Sequence, residues 1–504
     1  MFATVSSAVV EGVDGHPVSV EVHVSDGLPG YTLVGMPDAS CRESRDRVRA
    51  AILSSEFTWP KRRVTINLAP AGIRKQGSAL DLPIALGILA ASEQLDRATL
   101  QGVGAVGELG LDGSVRSVAG LVCLAGAVRS VEVIVPAVGA AEAAVVRPHS
   151  TRGARTLSEV VHSLRSTGPP LDLVSPSSVR RPAGRVGDLA DVRGQPLARF
   201  ALEVAAAGGH HMLMVGPPGS GKTMLASRLV GLLPDLDSDL ALLVTQVHSA
   251  AGVPVPDGGL VQRPPLRAPH HGASLVSLIG GGTAAMRPGE ISCAHGGVLF
   301  LDELGEFAPT AVDALRQPLE EGVVRVTRAI RAITLPARFL LVAAMNPCPC
   351  GEGGTTGRCR CSESSRARYA RRLSGPLLDR FDVRIEVCPP ASHLLLDGPP
   401  EEPSGKVAAR VARVRDAAKG RGYPSNAAIP SDRLDEVAPV TEAARAVLRT
   451  ALEQGHLTGR GLTRVRTVAR TIADLAEAPE IDHDIVATAL SMRATPTSVL
   501  GVGV

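Results

Sequence analysis

Aromatic side chains are scarce in this chain, with one Trp, three Tyr and seven Phe among 504 residues. Cores must therefore be built from Val, Leu, Ile and Ala, and the shortage argues against an aromatic platform for stacking nucleic-acid bases. Lysine is equally scarce: Lys61, Lys75, Lys222, Lys406 and Lys419 stand alone among 53 basic residues. Each marks a position where a compact ammonium, rather than a guanidinium, deserves a reason. No apolar run of about 18 residues occurs, so no membrane span is expected. The opening stretch MFATVSSAVVEGVDGHPV lacks a basic segment followed by an apolar one and does not read as a signal peptide. Eight Cys in so long a chain fit a reducing cytoplasm, where the protein is expected to reside, and not a disulfide scaffold. A net charge of +3 is too mild for a polyanion-binding coat, so any contact with nucleic acid must come from a local cluster. No internal repeat is present.

The length suggests about three domains at roughly 100–200 residues each. Residues 1–165 alternate strand-like runs (HPVSVEVHVS, RRVTINLAP, VEVIVP) with the apolar helix candidate LDLPIALGILAAS, the pattern of a small α/β or α+β domain. Residues 166–185 are rich in Pro and Ser and read as a linker. Residues 186–390 show strands followed by helices, as in a parallel α/β sheet. A Pro-rich loop, 391–405, precedes a helical tail, 406–504. There, Val465, Val468, Ile472 and Leu475 share one helix face.

The segment GPPGSGKT (Gly216, Pro217, Pro218, Gly219, Ser220, Gly221, Lys222, Thr223) fits the phosphate-loop pattern in full. An apolar strand, HMLMV, precedes it and a helical stretch follows. Backbone N–H groups of such a loop wrap phosphates, Lys222 reaches the β- and γ-phosphates of ATP, and Thr223 gives an oxygen to Mg²⁺. Further on, VLFL ends in Asp302, placed to hold Mg²⁺ through water, and Glu303, placed to polarise the attacking water. The strand in ARFLLVAAMN ends in Asn346, whose amide can orient that water. Arg380, in a short loop before a strand, can either stabilise transition-state charge at a neighbouring subunit's nucleotide or form a surface salt bridge.

Two clusters remain. Cys348, Cys350, Cys359 and Cys361 lie within fourteen residues and can enclose a structural Zn²⁺. Their C-x-C spacing is tighter than the usual C-x₂-C, so free thiols or a redox pair stay open. Arg325, Arg328 and Arg331 fall at intervals of three close to a turn and are candidate DNA contacts. A second basic segment carries Arg263, Arg267, His270 and His271. Such Arg residues can equally solvate a hairpin or bridge subunits.

The stretches RPPLRAPHHGASLVSLIGGG, RPGEISCAHGGVLFLDELGEF, LRQPLEEG, PARFLLVAAMNPCPCG, SGPLLDRFD and VARTIADL resemble AAA+ ATPases of the magnesium-chelatase clade, and more closely the bacterial YifB/ComM family. GMPDASCRESRDRVRAA, INLAPAGIRKQGSALDLPIALG and VGELGLDGSVRSVAG resemble that family's Lon-protease-like first domain. The resemblance implies a Lon-like α+β domain, an AAA+ core with a parallel sheet, and a helical lid. It implies a hexamer that uses ATP and Mg²⁺, with Asn346 as sensor 1, Arg380 as the arginine finger and Arg464 as the preferred sensor-2 residue over Arg460 and Arg466. Against Lon-type peptidases, Ala79 takes the place of the Ser nucleophile, Ser78 stands one residue early, and Leu124 appears where the general-base Lys belongs. A Ser hydroxyl without such a base is a poor nucleophile, so the domain reads as an inactive scaffold.

The family is linked to branch migration of DNA in homologous recombination during natural transformation. The expected activity is therefore a DNA translocase or helicase acting on single-stranded or branched DNA. Remodelling of a protein partner and a magnesium-chelatase-like role in metal insertion remain the alternatives.

Overall fold

The computed structural model describes residues 1–175, 187–256, 259–282, 286–328, 331–353, 359–372 and 375–494. The first domain is built on two long antiparallel strands, Phe2–Glu11 and Asp14–Ser25, whose alternating Val residues (Val5, Val9, Val18, Val20, Val22, Val24) face inward. They sit in an eight-stranded mixed sheet ordered Leu173–Val174, Thr151–Ala154, Glu132–Pro136, Val103–Ala105, Phe2–Glu11, Asp14–Ser25, Arg63–Ala69, Gly30–Val34. The helix Asp81–Ala91 lies against the two long strands and is buried on every side, which explains its apolar sequence beyond Asp81, whose carboxylate is paired with Arg47. Ala79 and Leu124 belong to one apolar cluster with Ala8, Val106 and Leu121. Ser78 Oγ donates instead to the Glu108 carboxylate.

The stretch expected to be a linker is partly structured. Leu171 is buried, and Leu173–Val174 adds an antiparallel strand beside Thr151–Ala154. Three apolar residues in a Pro/Ser-rich text are enough to close the sheet edge, a gain local composition does not register. Residues 176–185, the rest of that stretch, lie outside the described residues. Likewise, the Pro-rich loop at 391–405 contains a short helix, Ser392–Asp397, and the first tail helix begins within it at Ser404.

The central domain holds a five-stranded parallel sheet in the order Leu266–Arg267, Val298–Leu301, Leu340–Met345, Met212–Val215, Val383–Glu386. Its inner strands VLFL, LLVAAM and MLMV are wholly buried, because helices cover both faces of a parallel sheet. The tail helices Ser404–Gly420, Glu442–Glu453, Gly459–Leu475 and His483–Ser491 share one core with the central domain, Val407, Val411 and Val468 packing in the same cluster as Leu202, Ala205 and Met212. No helix among the described residues is long and apolar enough to cross a membrane.

The first two domains touch at several places, among them Gly259 against Ala141 and Val145. The helix Leu121–Ala127 docks on the helix Ser238–Ala251, with Gly120 N–H donating to Ser249 O (2.8 Å) and Val122 N–H to Ser249 Oγ (3.3 Å). The tight turn at Gly12 and Val13 abuts Ile333 and Leu335 of a hairpin in the central domain.

Candidate nucleotide site

All the strand-end residues singled out in the sequence emerge at the carboxyl edge of the parallel sheet, where α/β folds bind ligands. The phosphate loop leaves Met212–Val215 and enters the helix Lys222–Leu229 through Gly221, whose φ of +90° suits glycine. Lys222 Nζ donates to Gly216 O (2.7 Å), Pro217 O (2.8 Å) and Asn346 Oδ1 (3.3 Å). Burial pulls the Lys222 ammonium below its ordinary pKa, opposed by the carboxylates of Asp302 and Glu303. Ser220 is buried, and its carbonyl accepts a hydrogen bond from Gln195 Nε2 (2.7 Å), which also reaches Cys388 O (2.9 Å). Gln195 thus ties the loop to the chain leaving the neighbouring strand. No motif announced it.

Thr223 Oγ1 donates to Asp302 Oδ2 across 2.6 Å. A hydroxyl and a carboxylate oxygen side by side are a hard-cation ligand pair, and they fit Mg²⁺. Asp302 Oδ1 also accepts the Glu303 N–H (2.9 Å), and Glu303 adopts a left-handed backbone with φ of +53°. Its carboxylate lies 3.0 Å from Nδ1 of His271. His271, whose ring packs 4.0 Å from that of His270, thus stands beside the nucleotide site. The Arg267 guanidinium in the same basic segment is held bidentately by Glu290 at 2.7 and 2.8 Å. Both pairings join residues distant in the chain and are invisible in a linear run of basic residues.

Arg380 and Arg464 lie at the other edge of the sheet. Met212 pairs with Val383 and Val215 with Glu386, and Asp382 N–H bonds His211 O. The loop carrying Arg380 thus flanks the amino ends of these strands, roughly 10 Å or more from the phosphate loop at ~3.3 Å per residue. Arg380 is buried and pairs with Glu320. Arg464 sits 3.1 Å from the carboxylate of Asp382, and Arg460 is 3.6 Å from Glu320. Burial pushes Asp382 up, but His210 and the Arg464 guanidinium outweigh it and hold the carboxyl near 2. Arg466 is committed elsewhere, to Asp435 and the carbonyls of Leu434 and Ala438.

The strands Val323–Arg328 and Arg331–Pro336 form an antiparallel hairpin directly before the strand that ends at Asn346. Val324, Val326 and Leu335 anchor it in the domain core, while Arg325 is exposed and pairs with Glu321 at 2.6 Å. Arg328 and Arg331 are register partners at its tip. The four cysteines expected to cluster do so, their sulfurs all within 4.8 Å of one another.

Three descriptions from one family tile the chain: "Subunit ChlI of Mg-chelatase" over residues 20–141, "Magnesium chelatase, subunit ChlI" over 188–395, and "Magnesium chelatase, subunit ChlI C-terminal" over 401–493. The competence protein ComM of Haemophilus influenzae is 44% identical over 498 residues, covering 98% of this chain and 97% of its own. YifB of Escherichia coli is 42% identical over 497 residues, 96% of this chain and 95% of its own. Lon protease 2 of Bacillus subtilis is 29% identical over 205 residues, about a third of each chain (34% and 35%). Identity of this order along nearly the whole length, joined to a phosphate loop and an Asp–Glu pair on the strand ends either side of Asn346, places the chain in the YifB/ComM family of magnesium-chelatase-like AAA+ ATPases.

Proposed function

We propose that this ATPase is a ring-forming DNA motor, working as a hexamer, that moves single-stranded or branched DNA as a branch-migration translocase. The observation that carries the reading is the Arg-bearing hairpin Val323–Pro336, whose second strand runs directly into the strand ending at Asn346. A shift at the γ-phosphate thereby has a short covalent path to Arg325, Arg328 and Arg331. Phosphate contacts from such a hairpin are independent of sequence and weaken with salt, which suits a protein so poor in aromatics. The relative named a competence protein fits this reading.

At the site itself, the loop N–H groups and Lys222 hold the phosphates, and Glu303 orients a water and takes its proton. Glu303 must part from His271 to do so. Mg²⁺, held by Thr223 and by Asp302, would neutralise charge on the β- and γ-phosphates. Arg380 and Arg464, remote from the phosphate loop of their own chain, serve the nucleotide of an adjoining subunit. The first domain acts as a scaffold, since Ala79 and Leu124 fill the would-be peptidase centre with apolar packing. The deciding experiment compares ATP hydrolysis with and without single-stranded and forked DNA over a salt series, using Glu303→Gln, slower by at least about 10²-fold, as the blank. Stimulation by DNA that fades with salt supports the reading. Hydrolysis indifferent to DNA at low salt rejects it in favour of a protein or tetrapyrrole partner.

A further inference from the structure

The thiols of Cys348, Cys350, Cys359 and Cys361 are free, and three of their Sγ···Sγ distances are 3.3, 3.7 and 3.8 Å. Four thiolates around one Zn²⁺, at Zn–S of about 2.3 Å, stand about 3.8 Å apart along each edge of the tetrahedron. The tight C-x-C spacing does not prevent this. Gly351, in a left-handed conformation (φ +81°), donates its N–H to Cys348 O at 2.9 Å and turns the chain so that both sulfurs face the same point. The compact spacing encloses a single ion and leaves no room for an iron–sulfur cluster.

The cluster's surroundings give it a task. Cys348 lies two residues beyond Asn346 and is itself buried. Gly351 packs so closely on the phosphate loop that a Cβ there would stand 2.6 Å from Cδ of Pro218. Cys361 leads into the helix Glu363–Arg372, whose Tyr369 ring is pressed against Gly305, two residues past Glu303. The cysteine knot thus adjoins all three segments that carry the nucleotide chemistry. Four neutral thiols offer only weak hydrogen bonds to hold such an arrangement.

We propose that Cys348, Cys350, Cys359 and Cys361 form a tetrathiolate Zn²⁺ site that braces the phosphate loop, through Gly351 and Pro218, against the strand ending at Asn346. The bracing role rests on the ATPase reading, whereas the metal site does not. The test begins with elemental analysis of the full-length protein purified without chelator. It expects one zinc per chain, and Co²⁺ exchange giving the visible bands of a tetrahedral tetrathiolate. Cys350→Ser loses the metal, and Cys361→His, which keeps a ligand, retains it with an altered cobalt spectrum. Protein that contains no zinc, takes up neither Zn²⁺ nor Co²⁺ and shows four reactive thiols in this segment overturns the site. So does iron in place of zinc, or zinc retained in full by both Cys350→Ser and a Cys348→Ser/Cys350→Ser double variant. Zinc is then stripped with a mercurial and a chelator, and binding of a fluorescent ATP analogue and hydrolysis are measured. Weaker binding and turnover lower by up to about 10²-fold, both restored by added Zn²⁺, support the brace. Unchanged binding and turnover overturn it. Zinc-loaded protein that binds no nucleotide at all refutes the ATPase reading and leaves the metal site standing.

Discussion

Arg380 illustrates why a residue's chemistry is not settled by its own chain. Within one subunit it is buried and paired with Glu320, at the sheet edge opposite the phosphate loop. A guanidinium kept out of water in this way is pre-oriented, yet its own nucleotide is out of reach. Mixing two inactive proteins tests the proposed role: Lys222→Ala, which cannot hold phosphate, and Arg380→Ala, which should lose about 10³-fold or more of its turnover. In mixed rings some interfaces pair an intact phosphate loop with an intact Arg380. Partial recovery of hydrolysis is expected, and none should appear if Arg380 acts within its own chain. Two histidines add a pH dependence. His211 Nδ1 accepts Leu341 N–H (3.0 Å) and His295 Nδ1 accepts Arg338 N–H (2.9 Å), so both act as neutral acceptors. Burial lowers each from 6.5 to about 4. Their contribution is complete above the unfolded value near 6.5 and is lost as pH falls toward 4, by at most about 3 kcal/mol each. Denaturant midpoints of the central domain at pH 7.5, 6 and 5 should fall in that order. A midpoint that stays level or rises toward pH 5 contradicts this sign.

The hairpin Val323–Pro336 shows how an element divides its work. Alternation sends Val324, Val326 and Leu335 into the core and leaves Arg325 outside. The Arg325–Glu321 pair is solvent-exposed and worth at most about 1 kcal/mol, so it does not prevent Arg325 from meeting a phosphate. Replacing Arg325, Arg328 and Arg331 together by Ala leaves the anchoring Val and Leu side chains in place. Basal hydrolysis should survive while DNA stimulation disappears, and the salt dependence of single-strand binding should flatten by about 0.7 in log–log slope for each phosphate no longer gripped. Full DNA stimulation in that variant removes the hairpin as the grip. At this scale the sequence was readable in part. The basic residues at intervals of three close to a turn were legible because they are local. The commitments of Arg267 to Glu290 and of His271 to Glu303 were not, since each joins residues brought together only by the sheet.

Across the whole molecule, the first domain contacts the proposed DNA grip as well as the ATPase helix Ser238–Ala251. Gly12 has φ of +65°, and a Cβ at that position would stand 2.7 Å from Cγ2 of Ile333 on the hairpin. Gly12→Val therefore forces the two apart and strains its own backbone by about 1–2 kcal/mol. Since Gly12 is far from the nucleotide chemistry in sequence and in role, basal ATPase should persist while stimulation by DNA drops. Unaltered stimulation in a folded Gly12→Val protein separates the first domain from the hairpin's action.

Local chemistry by itself determined the phosphate loop, the Asp302–Glu303 strand end, Asn346 and the four-cysteine grouping, because each depends on residues close in the chain. Only the tertiary structure decided that Leu173–Val174 completes a sheet, that Gln195 and His271 serve the nucleotide site, and that Arg380 and Arg464 stand at the sheet edge away from their own phosphate loop. The physical reason is the parallel sheet. It gathers distant strand ends at its carboxyl edge and sends the loops between them to the opposite one, a sorting that depends on strand order and direction and leaves no mark in any single stretch of sequence.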